Sequence, residues 1–344
     1  MKMNYIEFPK KQSRRKNFLD NLVFTTRLRI SRNIDGINFP LFLEKEDKIR
    51  LEDEISKEIL NVCPDLLISK IEDLSYSDLL IYLSNGVLTS EFIRNGRVFG
   101  HPVTADWVFL LNEDDHLKVF SIEYGYNPKE IYKRIFNFID KLEANIDFAY
   151  DEVFGYLTSS ILNVGTGLRI SFIVNLPGLF QSEEIDSLTK SLKEISYSIK
   201  PFYESKIPLY YIFNLFSMGI SEEELLCEFE NLLTKIAHLE FEARDKYIFG
   251  NKIKLTMHFK KLFELKDKNE LTYSELLEYI SLVDLFNKRV FEVDDINTIR
   301  CAIFTGVDEY LTYKYNLTKE ELNKARLYMI KRALFKIKYK KAFI

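Results

Sequence analysis

At 344 residues the chain has room for two domains at roughly 100–200 residues each. With 47% apolar and 29% charged residues it can bury a core beneath a solvated surface, which argues against disorder. A net charge of −4 argues against bulk electrostatic binding of nucleic acid. The cysteines Cys63, Cys227 and Cys301 lie far apart with no CxxC pair, and no histidines stand at HxxxH or HExxH spacing. A disulfide framework or structural zinc site is therefore not expected, and a reducing cytoplasm is the simpler setting.

The opening segment MKMNYIEFPKKQSRRKNF is basic but lacks the apolar stretch of a secretory signal. Apolar runs such as Leu79–Leu83 fall far short of the ~20 residues a membrane span needs. A soluble cytoplasmic protein is the expectation. Val23–Ile30 alternates and is rich in β-formers, which predicts a strand. Asp47–Leu60 carries Ile49, Leu51, Ile55, Ile59 and Leu60 at helical spacing. Leu79–Leu83, Thr89–Ile93, Trp107–Leu111 and Leu117–Ile122 read as strands. Asn127, Pro128 and Glu130 read as the cap, first residue and capping-box acid of a helix striped by Ile131, Ile135, Ile139 and Leu142. Tyr156–Ser160 and Leu168–Val174 read as strands flanking a glycine turn. Helices are expected after Ser182-Glu183-Glu184 and, from a Ser221/Glu224 capping box, through about Tyr247. Beyond Gly250 the pattern is almost wholly helical, which places a domain boundary there, between 1–249 and 250–344. Strand-rich first, helical second, the order suggests an α+β protein.

Three segments carry chemistry. In Thr25-Thr26-Arg27-Leu28-Arg29-Ile30-Ser31-Arg32-Asn33, a strand puts Arg27 and Arg29 on one face. Polyphosphate suits two such guanidiniums, whose forks donate bidentate bonds to phosphate oxygens; a solvated strand edge is the alternative. In Asn163-Val164-Gly165-Thr166-Gly167-Leu168-Arg169, two glycines let backbone amides approach a ligand, as in a phosphate loop; a tight hairpin explains them equally well. In Asn112-Glu113-Asp114-Asp115-His116-Leu117-Lys118, three successive carboxylates offer a general base or an Mg²⁺ contact; an acidic surface turn with a polar histidine is the bland reading.

Taken together, TTRLRISRN (25–33), NEDDHLK (112–118) and GYLTSSILNVGTGLRIS (155–171) resemble the ATP:guanidino phosphotransferases, specifically the bacterial protein-arginine kinases. Phe39-Pro40, Phe148-Ala149-Tyr150, Leu176-Pro177 and GISEEELLCEFENLL (219–233) fit the same pattern. The resemblance implies the phosphagen-kinase fold: an antiparallel sheet flanked by helices to about residue 250, then a helical domain. It also implies phosphoryl transfer from Mg²⁺·ATP to a guanidinium, a reaction catalysed mainly by alignment and electrostatics. Carried over position by position, Arg27, Arg29, Lys118 and Arg169 would bind nucleotide phosphates, His116 would lie near the nucleotide, and Asp114 would be the base. A homodimer and a protein substrate or regulatory partner are further implications.

Several positions depart from the family pattern. Asp114 replaces glutamate, Lys118 replaces a phosphate-binding arginine, Ser160 replaces cysteine, and Ile161-Leu162 replace Pro-Thr. Where the family carries R-G-x-x-G-E, this chain reads Lys200-Pro201-Phe202-Tyr203-Glu204-Ser205, with Glu204 alone as a second carboxylate. The family's phosphoarginine-receptor segment, R-D-x-x-R-A, becomes Glu320-Glu321-Leu322-Asn323-Lys324-Ala325, where an acid would repel a dianion. These departures predict nucleotide binding with reduced or lost transfer; the alternative is an active kinase using Asp114. Finally, 324–341 reads as a basic C-terminal helix, either docked with a solvated lysine face or touching a membrane surface or acidic partner.

Overall fold

The computed structural model describes residues 17–84, 86–104, 106–204, 206–250, 252–293, 296–334 and 337–339. In chain order the first elements are β1 (Val23–Arg32), α1 (Lys45–Val62), β2 (Leu66–Lys70), α2 (Tyr76–Ser84), α3 (Ser90–Asn95), β3 (Val98–Pro102), β4 (Val108–Leu111), β5 (Leu117–Tyr124) and α4 (Pro128–Glu143). There follow β6 (Tyr150–Asp151), β7 (Gly155–Tyr156), β8 (Leu168–Asn175), α5 (Pro177–Gln181), α6 (Ile185–Glu194), β9 (Tyr197–Pro201), β10 (Leu209–Asn214) and α7 (Glu222–Gly250). The remainder is α8 (Lys252–Glu264), α9 (Tyr273–Phe286), β11 (Phe291–Val293), α10 (Ile296–Thr305), α11 (Asp308–Tyr315), α12 (Lys319–Leu334) and β12 (Ile337–Tyr339). Among the described residues eight strands form one sheet in the order β2-β3-β4-β5-β1-β8-β10-β9. The ladders from β2 through β1 are antiparallel. This is the expected α+β class: an antiparallel sheet flanked by helices, with a run of helices after it.

The chain divides into two compact units. One takes in Thr25–Ser171 and Phe213–Glu230; the other takes in Lys16–Phe24, Phe172–Ile212 and Asn231 onward. The change of texture at Gly250 coincides with the end of α7, whereas the units divide at the sheet strands and within α7.

In the first unit the two faces of the sheet have different jobs. Alternation along β5 sends Phe120 and Ile122 into a cluster with Val108, Leu110 and Phe99, covered by Tyr82 of α2 and Phe92 of α3. The opposite face carries α4, whose Ile131, Ile135, Phe138, Ile139 and Leu142 are buried, with Phe138 against Trp107 at 4.2 Å between ring centroids. From the second turn of α4, Arg134 pairs with the buried Glu123 of β5 at 2.6 Å.

Some sequence expectations are corrected. Leu79–Leu83 lies in the helix α2, and Thr89–Ile93 supplies the cap and first residues of α3; so short a stretch does not distinguish strand from helix, and the caps decide. Ser75 and Asp78 form a reciprocal capping box, and Thr89 Oγ1 accepts from the Phe92 amide. Asn127 and Pro128 do start α4, but Asn127 makes no side-chain cap and donates instead to Glu123 at 2.6 Å. Tyr156–Ser160 is strand only at Gly155–Tyr156. The Ser221/Glu224 box forms as expected. The helix expected over 324–341 ends at Leu334, and Ile337-Lys338-Tyr339, whose apolar and polar residues alternate, pairs antiparallel with β11. The basic opening segment lies, through Lys16, outside the described residues.

The second unit is organised around buried charges. Asp284 of α9 accepts from Arg300 Nε at 3.0 Å, Arg244 Nη1 at 3.3 Å and Asn175 Nδ2 at 3.0 Å. Arg244 also pairs with Glu240, whose two oxygens take the amides of Gly178 and Leu179 at the start of α5. Removing Asp284 would leave two buried guanidiniums short of a counter-charge. Asp284→Ala is expected to lower stability by about 3–5 kcal/mol, read from urea unfolding; a loss below about 1 kcal/mol would show that the network does not hold this unit.

Candidate active site

β1 runs antiparallel to β5 with Arg27 opposite Ile122, Arg29 opposite Phe120 and Ser31 opposite Lys118. Strand alternation therefore puts Arg27, Arg29 and Lys118 on one face, the same face that α2 and α3 cover farther along. Arg27 lies over the Phe120 ring with its guanidinium carbon 4.9 Å from the centroid. On β8, Arg169 lies over Phe213 at 4.6 Å. Arg29 stands between the others and reaches Asn163 Oδ1 from Nη2 at 3.3 Å, while its buried Nε has no hydrogen-bond partner among the described residues. The structure thus brings Arg27, Arg29, Lys118 and Arg169 together.

Their electrostatics reflect that crowding. Burial lowers the Arg29 pKa, with Asp115 and Asp114 opposing, and burial together with Arg29 lowers that of Arg169. Burial, then repulsion from Arg29 and Arg27, pushes the Lys118 ammonium down to about 6, with Glu91 of α3 opposing. Lys118 contacts the Glu113 carboxylate and lies 3.4 Å from Asp114 Oδ2. Asp114 itself is exposed, and burial, Asp115 and Glu91 raise its pKa against the pull of Arg29.

His116 is placed differently from its sequence reading. It is fully buried; Nδ1 accepts from the Ile34 amide at 3.0 Å and Nε2 faces the Asn38 carbonyl at 2.9 Å. Both ring nitrogens are thus engaged in pinning the 34–38 loop to the start of β5. The sequence offers Asp115 only as one of three carboxylates in the acidic turn, without its structural role. Its Oδ1 accepts from Asn33 Nδ2 and from the Ser159 amide, both at 2.8 Å, while Oδ2 is buried with no hydrogen-bond partner among the described residues. Asp115 ties the end of β1 and the 157–160 loop to the acidic turn, beside Arg29. The signal available in sequence was a carboxylate flanked by two apolar-facing strand ends, which is too common to single out.

The glycine segment resolves toward its structural reading. Gly165 has φ +111, and a Cβ there would come within 2.4 Å of the Ser217 carbonyl oxygen; Gly167 has φ +67, with Ser31 O at 2.5 Å. The amides of Gly165, Thr166 and Leu168 donate to Tyr156 O, Ser217 O and Thr166 Oγ1. The glycines let the loop press against β1, where Arg32 bridges Thr166 O and Ser31 O, both at 2.9 Å. That packing sets Arg169 beside Arg29.

In the second unit, Lys200 and Glu204 are exposed, Glu204 accepts from Ser274 Oγ at 3.4 Å, and Ser205 lies outside the described residues. Glu321 caps α12 through Thr318, consistent with a helix-start acid.

The family model for the C-terminal catalytic domain of ATP:guanido phosphotransferases matches residues 46–243. Protein-arginine kinases from Clostridium tetani and Clostridium acetobutylicum are 27% and 29% identical, each match covering 92% of this chain and 96% and 95% of the relative. The enzyme of that name from Clostridium novyi is 30% identical over 78% of this chain and 81% of its own. Among solved structures, a substrate-free duplicated taurocyamine kinase from Schistosoma mansoni superposes with a TM-score of 0.60 at 21% identity, over 68% of this chain and 36% of that longer chain. A lombricine kinase superposes with a TM-score of 0.57 at 18% identity, over 69% and 70%. These last two are alike in fold.

Because Lys118 carries its proton in the unfolded chain up to about pH 10 but in the folded chain only to about 6, the unfolded state holds more protons between those values. Its contribution to stability therefore rises with pH across that window. Against Lys118→Met, the relative stability of the natural chain is expected to climb by up to about 1.4 kcal/mol per pH unit between about pH 7 and 9. Urea unfolding of both proteins at several pH values reads it; parallel curves would mean that Lys118 keeps an ordinary ammonium.

Proposed function

The chain belongs to the ATP:guanido phosphotransferase family, and from that premise we propose that it binds ATP on the Arg27, Arg29, Lys118 and Arg169 face with phosphoryl transfer to protein arginine reduced or lost. The observation that carries the reading is Arg29: a guanidinium buried between two other arginines and a lysine, with Nε unpartnered. Cations crowded in this way favour an anion among them, and arginine forks match phosphate oxygens. Arg27 and Arg169, each lying over a ring, are partly ordered for such contacts before a ligand arrives. Among the described residues no group of three or more His, Cys, Asp or Glu side chains is arranged to hold a metal ion, so Mg²⁺ would arrive on the nucleotide's own phosphates.

Transfer is the weaker half of the arrangement. Asp114 is one methylene, roughly 1.5 Å, shorter than the glutamate it replaces, in a reaction where about 1 Å of misplacement costs ~10²-fold. It also lies beside the Lys118 ammonium, which competes for its charge. Lys118 carries a cation only when its proton is restored, and it lacks the bidentate fork that steadies a loose, metaphosphate-like transition state. A second reading, an active protein-arginine kinase, is favoured by Asp114 itself: exposed, next to Arg29 and with a raised pKa, it has the features of a general base. A cytoplasmic setting, a protein substrate or regulatory partner, and a homodimer complete the proposal.

Two measurements test it. Arg169→Ala should weaken ATP binding about tenfold or more, the scale of one charge-assisted hydrogen bond. Labelled γ-phosphate should pass into acid-labile phosphoarginine on a denatured test protein slowly or not at all. Turnover above ~1 s⁻¹, the low end of kinase rates, would establish the second reading instead.

A further inference from the structure

The second unit holds a cavity of its own, about 200 Å³ in volume, beside the Asp284 network. Its walls come from the segment 17–21, α7, the end of α9, the turn that follows and α10. Arg244, Lys288, Arg289 and Arg300 line it against a single carboxylate, Asp284. Glu240 and Asp245, which pair with Arg244 and Arg289, are not part of the lining.

The polarity of this lining is one-sided. Asp284 is fully engaged: Oδ1 accepts from Nε and Nη2 of Arg300, and Oδ2 accepts from Arg244 Nη1 and Asn175 Nδ2. The donors are not. Asn287, also in the lining, is only 8% exposed; its Oδ1 accepts from the Val293 amide at 3.1 Å, which fixes the side-chain orientation, and its Nδ2 makes no hydrogen bond among the described residues. Arg289 donates from Nε to Asp245 at 2.5 Å and from Nη2 to Phe241 O at 3.5 Å, and Nη1 donates to nothing among the described residues. Its guanidinium carbon lies 5.3 Å from the Phe241 centroid, so the ring steadies the fork. A buried N–H left unpaired is costly, and beside these cations the group that satisfies it is an anionic acceptor. Lys288 is a separate sign. It stands at φ 65, a left-handed conformation that is costly for any residue with a side chain. Its amide donates to Phe291 O at 2.6 Å and its ammonium to Asn21 Oδ1 at 2.7 Å, so the strained turn sets a cation at the exposed side of the cavity where glycine would suit the backbone better.

We infer that this cavity binds a phosphate dianion, held by Asn287 Nδ2, Arg289 Nη1 and Lys288 Nζ, with Arg244 and Arg300 supplying further positive charge. Guanidinium forks match phosphate oxygens, and the volume, below the ~300 Å³ of a pocket for a drug-sized ligand, suits free phosphate or the head of a small phosphate ester better than a nucleotide. Bound there, the anion ties the segment 17–21, α7, α9 and α10 together and stabilises the second unit. The site shares no residue with the Arg27, Arg29, Lys118 and Arg169 face and stands whether or not that face binds ATP.

The test is thermal unfolding of the full chain at about pH 7.5, with phosphate titrated against sodium chloride at constant ionic strength. Every titration is repeated in the Arg169→Ala background, where anion binding on the cationic face is weakened. Tm should rise with phosphate in both backgrounds, as a ligand of the native state requires. Asn287→Asp, which exchanges the amide donor for a carboxylate of the same size, and Arg289→Gln should each weaken the apparent affinity about tenfold or more. Lys288→Gly guards against misfolding: it relaxes the positive φ, so without phosphate it should unfold no earlier than the natural chain, yet bind phosphate about three- to tenfold more weakly. Equal responses to inorganic phosphate and glycerol phosphate assign free phosphate as the ligand, and a response at about tenfold lower glycerol phosphate assigns the ester. The inference is overturned if phosphate raises Tm no more than chloride does, if the response is absent from the Arg169→Ala chain, or if it survives Asn287→Asp and Arg289→Gln unchanged.

Discussion

Repulsion among Arg27, Arg29, Lys118 and Arg169 is the constraint around which the first unit is built. Like charges on neighbouring strands push apart unless the backbone holds them, and here the backbone does so closely. Gly167 lets the loop sit against Ser31 O, and Gly165 lets it sit against Ser217 O, where any side chain would collide. Arg32 seals the junction by bonding carbonyls on both sides of it. On the other flank, Asp115 and His116 fix the end of β1 to the acidic turn. The glycine loop is thus a fastener that holds the cationic strands together.

The same repulsion gives the arginine-to-lysine departure at 118 a meaning. A guanidinium does not lose its proton in proteins, so a fourth arginine would keep the face fully charged at all times. An ammonium can shed its proton, and Lys118 is pushed down to about 6 by burial and by Arg29 and Arg27. Loss of the Lys118 proton therefore relieves the crowding of charge above about pH 6. Glu113 and Asp114, both in reach of Lys118, respond to its charge state. A carboxylate that serves this lysine is less available to a guanidinium substrate, which links the two departures, at 114 and 118, through a single contact.

Much of this was legible in the sequence. Period-two spacing put Arg27 and Arg29 on one face, and the wording of three segments pointed to the fold. What escaped depended on partners distant in sequence. The helices α2 and α3 were read as strands because the apolar run Leu79–Leu83 carries no period and the caps at Ser75 and Thr89 were overlooked. The glycine amides could not be assigned without Ser217 and Tyr156, which lie on other segments. His116 looked like a ligand because nothing local reveals that Ile34 and Asn38 take both its nitrogens.

The most direct measurement is calorimetric titration with Mg·ADP at about pH 7.5 in two buffers of different ionisation enthalpy. A phosphate seated among these cations restores the Lys118 proton, so binding should take up protons, with the observed heat differing between buffers. Lys118→Met should abolish the difference while leaving weakened binding. Absence of binding, or binding with no proton uptake, would contradict an anion site built on this face.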